Sequence, residues 1–511
     1  MMIMKSLRSL RSRRFLALAA ALTVASAGLT GCGGSDSDNS GSSGTAPIRA
    51  LLAAQPATLD PIVGARSAQI VWATMLEPLI NTGNDLAPTD TGLVTSWTRT
   101  DATTWTFKVR PDISFSNGEK ADAAAVANTI TLTRDSAASQ LKSYFGNVTA
   151  IEAPDATTVV VKTKTPQYDI PDLLATVYLV PPKYYQEKGS EGFAAAPVGT
   201  GPYVWSGANA GRDISVKKNP DYWGTKATNE GITFTWANEA AQRLALIQSK
   251  SVDVSFDLPP AQASTAKSAG VNVVSTETAI KIVAFLDSTK APFNDPKLRE
   301  AAALAIDRDA IVKGIFDGQA VADAGLLNVK PGQQPTQSVT ADAAKAKELV
   351  GGANPTVQIT YPAAQYTNIE EVSQAVGGSL EKAGFKVSYV PLDYGTLVKR
   401  IIGRQVPGIS IFAGVPNVAV PDYFVSGFMK TKSITGNCPD PQIDTLAQQA
   451  LEQNDAQQAN PIYEQLNTIG VVQKHCYVPL YRQVFNYATG PGVSGVVFGP
   501  LNTVDFTKTT R

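Results

Sequence analysis

The sequence predicts a mixed α/β (α+β) protein, and three observations carry that expectation. Strict alternation of apolar and polar residues recurs in the first half, the pattern of strands with one buried face. In the second half, apolar stripes at helical spacing interleave with such strands. No self-similarity at the period of a solenoid or propeller runs through the chain. With 511 residues, 43% of them hydrophobic, the chain can bury a sizeable core and is not of the disordered class.

The chain opens on Lys5, Arg8, Arg11, Arg13 and Arg14 with no acid, followed by the apolar run Phe15 to Ala27. That run is too short to span a bilayer comfortably and has the form of a signal-peptide core. Leu29-Thr-Gly-Cys32 follows directly and looks like a bacterial lipobox, which implies cleavage before Cys32 and a diacylglyceryl group on its sulfur. Two acyl chains on one residue suffice for stable anchoring, where one binds only marginally. Residues 1–31 are therefore expected to be a lipoprotein signal peptide and 32–45 a flexible Gly/Ser/Asp tether, spanning on the order of 20 Å. The expected location is the outer face of the bacterial cell membrane, in the periplasmic or cell-wall space, with membrane contact through the lipid alone. A cleaved signal with an incidental Cys is the alternative.

Further along, Trp105 to Arg110, Ile232 to Trp236 and Val252 to Phe256 alternate as strands, each expected to bury one face. Ala153-Pro-Asp155 and Asn219-Pro-Asp221 mark turns. Ala301, Leu304, Ala305, Val312 and Ile315 fall on one helical stripe. Ile369, Val372, Val376 and Leu380 form another that ends near Gly384, and Lys386 to Val390 follows as a strand.

Charge and composition exclude several classes of function. Lys+Arg and Asp+Glu balance at 44 each, but without the five basic leader residues 39 bases face 44 acids, a net charge of −5. A mildly acidic body argues against nucleic-acid binding. One His and three Cys are too few for a zinc finger, an iron–sulfur cluster or a His-rich metal centre, and no cofactor or metal is expected. No G-x-S-x-G, phosphate-loop or H-E-x-x-H pattern occurs, so an enzyme is not expected. Outside the cytoplasm Cys438 and Cys476 are expected to form a disulfide. The rival reading is a reactive Cys476 beside His475, which neighbouring positions on a strand would disfavour.

Six ordered segments resemble the peptide/nickel/opine family of ABC-transporter solute-binding proteins. They are Pro56-Ala-Thr-Leu-Asp-Pro61 with Leu76-Glu-Pro-Leu79, Trp105 to Arg110 with Ile113-Ser-Phe-Ser-Asn-Gly118, and Pro197-Val-Gly-Thr-Gly-Pro-Tyr203. Asn219-Pro-Asp-Tyr-Trp-Gly224, Lys290-Ala-Pro-Phe-Asn-Asp295, and Leu298-Arg299 with Ala305-Ile-Asp-Arg308 complete the series. For most of these a structural role is expected: Gly199, Gly201 and Pro202 setting a tight turn, Tyr222 and Trp223 filling core, Asp307-Arg308 as a cap or ion pair.

The resemblance implies a bilobed periplasmic-binding-protein-like fold, with an extra subdomain in the first lobe and a hinge near residues 285 and 485. Its implied organisation is a discontinuous lobe I core of 46–80, 199–285 and 485–511, an extra subdomain of 81–198, and lobe II of 286–484. It further implies closure around a peptide or peptide-like solute, delivered to an ABC permease and ATPase complex by a monomeric receptor.

In relatives that bind free peptides, a W-x-x-D segment supplies an aspartate for the ligand's α-amino group. Here Gly414 stands at the Trp position and Asn417 at the Asp position, with Asp422 and Tyr423 following. A neutral amide offers an ammonium no compensating charge, so either Asp422 takes over or the ligand lacks a free amine. Segments that face the cleft in relatives add Arg66, Ser67, Tyr144, Phe145 and Tyr394 as candidate ligand contacts. Arg66 could pair with a carboxylate or phosphate, and the aromatics could bury apolar area at small entropic cost. Metal uptake is disfavoured unless the metal arrives in its own chelator. Alternatives are an extracytoplasmic enzyme or signalling receptor on the same scaffold, a binder of an opine, sugar or metal chelate, or a purely structural surface protein.

Overall fold

A computed structural model of the protein describes residues 46–511, apart from 65–67, 364 and 416–418. The leader and the whole tether 32–45 with Cys32, together with Arg66, Ser67 and Asn417, lie outside the described residues.

Eleven strands among the described residues form one mixed sheet. From one edge the order is Lys386–Leu392, Thr356–Pro362, Ile409–Gly414, Asn272–Leu286, Tyr477–Thr489, Val254–Ser255, Ile48–Leu52, Gly231–Trp236, Asp213–Lys218 and Tyr203–Asn209, with Ala320–Ala322 added on Tyr477–Thr489. The two long central strands are antiparallel partners whose register shifts between Glu277 and Lys281. Before the shift, residues 272–277 pair with 484–489, beside the strands that begin at Ile48 and Val254. After it, residues 281–286 pair with Ile409–Gly414. One continuous ladder thus joins the two groups of strands, and the shift, called the crossing below, lies between them. Such an irregularity bends a sheet and strengthens its local twist.

The crossing buries charge. Lys281 and Arg482, opposite each other in the ladder, are fully buried, as is Asp323 just beyond Ala320–Ala322. Asp323 Oδ2 lies 2.8 Å from both Lys281 Nζ and Arg482 Nε, and Asp323 Oδ1 accepts from Asn328 Nδ2 at 3.0 Å. Arg482 also meets Glu277 at 2.8 Å and donates to the carbonyls of Asn328, Lys330 and Gln333.

Val94–Asp101, Thr104–Val109, Thr158–Thr163 and Val148–Asp155 form a separate antiparallel sheet within the stretch expected to be a subdomain. The alternation at Trp105, Phe107 and Val109 places all three in its core. Phe107 at 0% exposure contributes about 1.5–3 kcal/mol by the usual value for a large apolar side chain. Helix Ala123–Asp135 covers this sheet, its first turn capped by Asp122, whose carboxylate accepts from Ala125 N.

Two local expectations change. The stripe from Ala301 to Ile315 is two helices, Pro296–Ala305 and Arg308–Phe316, because Asp307 between them caps the second by accepting from Ala310 N. The stretch Val252 to Phe256 is buried on both faces, since helix Ala240–Gln248 packs on its strand and Val254 and Phe256 join the core of Phe234, Tyr487 and Phe506. Its polar face is carried by Asp253, paired with Arg49 at 2.7 Å and Arg511 at 3.0 Å. Helix Ile369–Ala383, ended by Gly384 at φ 106°, and strand Lys386–Leu392 form as the pattern indicates.

The sequence motifs are structural. Tyr222 and Trp223 both donate to the buried Glu77 carboxylate at 2.8 Å, tying two distant motifs together. Gly199 and Gly201 lie against the backbone of Met75, where any side chain would collide. Arg308 is buried and donates to the carbonyls of Pro479 and Val339. Cys438 and Cys476 form a disulfide, with Cα atoms 6.0 Å apart.

Candidate functional site

A cavity of about 470 Å³ lies between the lobes. The first lobe contributes Gln69, Trp72 and Tyr178, and the second Tyr366, Tyr394, Phe412, Tyr423 and Phe428. Trp72 and Gln69 come from the one-turn helix Gln69–Trp72, and Phe412 from strand Ile409–Gly414. Tyr394 opens helix Tyr394–Ile402, where Asp393 caps the first turn by accepting from Thr396 N. The aromatic rings pack on one another: Phe285 on Phe412 with centroids 4.3 Å apart, Tyr366 edge-on to Tyr394 at 6.4 Å. Gly414, at the end of its strand, lies against the Phe424 ring, which leaves no room for a side chain there.

A second chamber of about 310 Å³ adjoins this one and shares Gln365, Tyr366 and Val415 with it. Its walls include Asp257 and Asn486 on the first-lobe side, and Phe316 and Gln319 on the second-lobe side. The first chamber, called outer below, is richer in rings, and the second, called inner, holds Asp257 together with Gln319, Gln483, Asn486 and Asn502.

The lobes meet on both sides of these chambers. Near the crossing, Gln319 Nε2 donates to Pro260 O at 3.1 Å and Ser264 Oγ at 2.9 Å. On the far side Tyr144 of the subdomain stacks on Tyr423 at 6.0 Å, Tyr168 N donates to Leu451 O, and Arg99 Nη1 donates to Gln453 O. That seam buries carboxyl groups. Asp169 is pushed up to about 8 by burial first and by Asp422 second, while the Gln167 amide it accepts from pulls the other way. Burial likewise raises Asp422, against the opposing effects of Lys430 and Ser426. Asp172 is pushed up to about 6, again by burial.

The candidate residues separate into groups. Tyr394 and Tyr423 line the outer chamber, and Tyr144 lines neither chamber but stacks on Tyr423. Phe145, one residue on, is 1% exposed in the subdomain core, so it is a packing residue and not part of the wall. The alternation of a short 3-10 turn explains the split, since successive side chains point in different directions. Asp422 lines neither chamber; its Oδ2 accepts from Ser426 Oγ at 2.8 Å within its own turn. Gly64 and Val415, which flank the undescribed 65–67 and 416–418, both line the outer chamber.

Sequence reasoning missed Trp72, Tyr178, Tyr366, Asp257 and Gln319. They lie in loops or at element ends with no spacing signal, and only the closing of the sheet brings them together. Cys476 is bonded to Cys438, which removes it as a nucleophile beside His475. Among the described residues no group of His, Cys, Asp and Glu is placed to hold a metal ion.

Residues 90–436 match the bacterial extracellular solute-binding proteins, family 5 Middle. The chain belongs to this family. This solute-binding protein is 28% identical over 418 residues to the glutathione-binding protein GsiB of Escherichia coli K12, covering 77% of this chain and 80% of GsiB. The ABC-transporter substrate-binding protein CtaP of Listeria monocytogenes superposes with a TM-score of 0.81 at 18% identity, over 91% of this chain and 99% of CtaP. A dipeptide-binding protein of Pseudoalteromonas sp. SM9913 in complex with Met-Leu gives 0.73 at 19% identity, over 91% and 100%. The family read from the ordered motifs holds, and so does its bilobed α/β fold. Among the described residues no helix is long and apolar enough to cross a membrane.

Proposed function

We propose that this protein captures a peptide or peptide-like solute between its lobes and releases it unaltered to an ABC permease and its ATPase. The observation that carries the reading is the pair of adjoining chambers lined by both lobes, one richer in rings and one holding Asp257 with several amides. Such a division suits a small amphipathic solute, with apolar side chains buried against rings and main-chain groups on amides. Relatives named for glutathione and crystallised with Met-Leu support the size class.

Opening would swing the lobes about the register shift at Glu277/Lys281 and its partners Arg482 and Val484, breaking the Tyr144–Tyr423 stack and the Gln319 bridge. A solute contacting both lobes stabilises the closed form by its differential contacts. Cys32 would carry the lipid that keeps the receptor beside its permease, leaving 33–45 as a leash. Of the expected contacts, Tyr394, Tyr423 and Tyr144 remain assigned to the solute, with Arg66, Ser67 and Asn417 assigned through the wall segments they belong to.

Thermal unfolding of the mature protein against a library of di- and tripeptides, glutathione included, tests this reading. A binding peptide at a hundredfold excess over its Kd should stabilise by about 2.7 kcal/mol and come back intact by mass spectrometry. No shift with any peptide would remove the ligand class, and a cleaved or rearranged peptide would remove the transport reading.

A further inference from the structure

The inner chamber contains an acid without a partner. Asp257 follows strand Val254–Ser255 in a left-handed conformation, φ 53°, and lines the chamber wall. Its Oδ1 is buried with no hydrogen-bond partner, and no ion pair engages its carboxylate among the described residues. The neighbouring Arg243 acts on it through charge without a hydrogen bond to the carboxylate: its Nη1 donates to the carbonyls of Ala237 and Asn238 at 2.8 Å and its Nη2 to that of Asp257 itself at 2.6 Å, while its Nε has no partner. The other neighbouring titratable group, Tyr487, donates its hydroxyl to Asn502. Burial raises the Asp257 carboxyl above its ordinary range, with Arg243 opposing.

Across the same chamber, the second lobe presents another open acceptor. The Gln319 amide is oriented by its two donations to Pro260 and Ser264, which leaves Oε1 buried and unpartnered. An acid from one side and an amide from the other thus line a common space, each with one carbonyl-type oxygen left without a hydrogen-bond partner. A buried, unpaired carboxylate is costly, and the cost is recovered when a cation enters.

We propose that the inner chamber is the subsite for a positively charged group of the solute, an ammonium or guanidinium held between Asp257 of one lobe and Gln319 of the other. The inference rests on the capture reading above and deepens it, naming a cationic solute. Leu258, Phe316 and Phe485 line the same chamber and would cover the alkyl stem of a lysine- or arginine-like arm. Because the cation contacts both lobes, binding it and closing the cleft are the same event.

The test is calorimetric titration of the mature protein with matched probes. Tripeptides carry lysine against norleucine, or arginine against citrulline, at each position, with free or acetylated amino termini; agmatine is set against its neutral carbamoyl analogue. The best cationic probe should bind roughly tenfold or more tighter than its neutral partner, the worth of a hydrogen bond to a charged group. Asp257→Asn should erase that preference. Melting of the variant without solute checks that it folds. Tight peptide binding with no preference for charge, or a preference that survives Asp257→Asn, overturns the inference and leaves the peptide reading standing. Binding of agmatine alone, lost in Asp257→Asn, sustains the inference and removes the peptide reading. No binding by any probe overturns both.

Discussion

At the strand crossing, Asp323 is met by Lys281, Arg482 and Asn328, whereas in the inner chamber Asp257 has no partner. Asp323 is fully buried, and Asp257 is half-buried with its Oδ1 covered. At the crossing burial alone would raise the Asp323 carboxyl, but Lys281 and Arg482 outweigh it and hold it below the ordinary range. Lys281 meanwhile is brought down to about 8, first by burial. Where the fold uses a buried charge for itself, donors and acceptors close on one another. Asp257 Oδ1 has no such donors around it.

The comparison can be broken at either end. Removing one member of the closed network should have the largest effect: Asp323→Ala strands two buried cations and should cost about 3–5 kcal/mol in urea unfolding. A loss within 1 kcal/mol would mean that water already enters the crossing. Replacing Cys438 and Cys476 by Ser opens a loop with sequence separation 38 and should cost about 2–4 kcal/mol.

The seam on the far side of the cleft should respond to pH. Asp169 is raised from 3.8 to about 8, so the folded state keeps a proton that the unfolded chain has lost. Its contribution is complete below about 3.8 and vanishes as pH climbs through about 8, so melting temperature should fall across that window. Asp169→Asn should flatten the fall; an unchanged profile would place the titration elsewhere. Tyr423→Ala removes the stack on Tyr144 and should weaken solute binding by about 0.5–1.5 kcal/mol beyond lost area. The smallest effect sharpens the contrast most. Asp257→Asn should leave unfolding of the solute-free protein unchanged or slightly stabilised, by up to about 1 kcal/mol, because it removes an uncompensated charge.

The fold was legible where the sequence has a period. Trp105, Phe107 and Val109 alternate and are buried, and Ile369 to Leu380 follow a helical stripe and lie in the core. It was less legible where polar residues sit inside. Asp253 and Ser255 look like the wet face of a strand but are buried, and only the helix packed on that strand reveals it. The same holds for the site. Tyr394 and Tyr423 could be reached through likeness to relatives, whereas Tyr144 and Phe145 could not be told apart without the turn that separates them. Asp257 carries no motif at all. What distinguishes it is the absence of a partner, and that is a property of three-dimensional surroundings.

Native mass spectrometry of the mature protein, purified with the solute it carries, tests the account most directly. One intact peptide-like molecule bearing an amine or guanidine, displaced by unlabelled peptide and lost in Asp257→Asn, is the result expected. A fragment or rearranged product, or an anionic solute retained equally by Asp257→Asn, would contradict it.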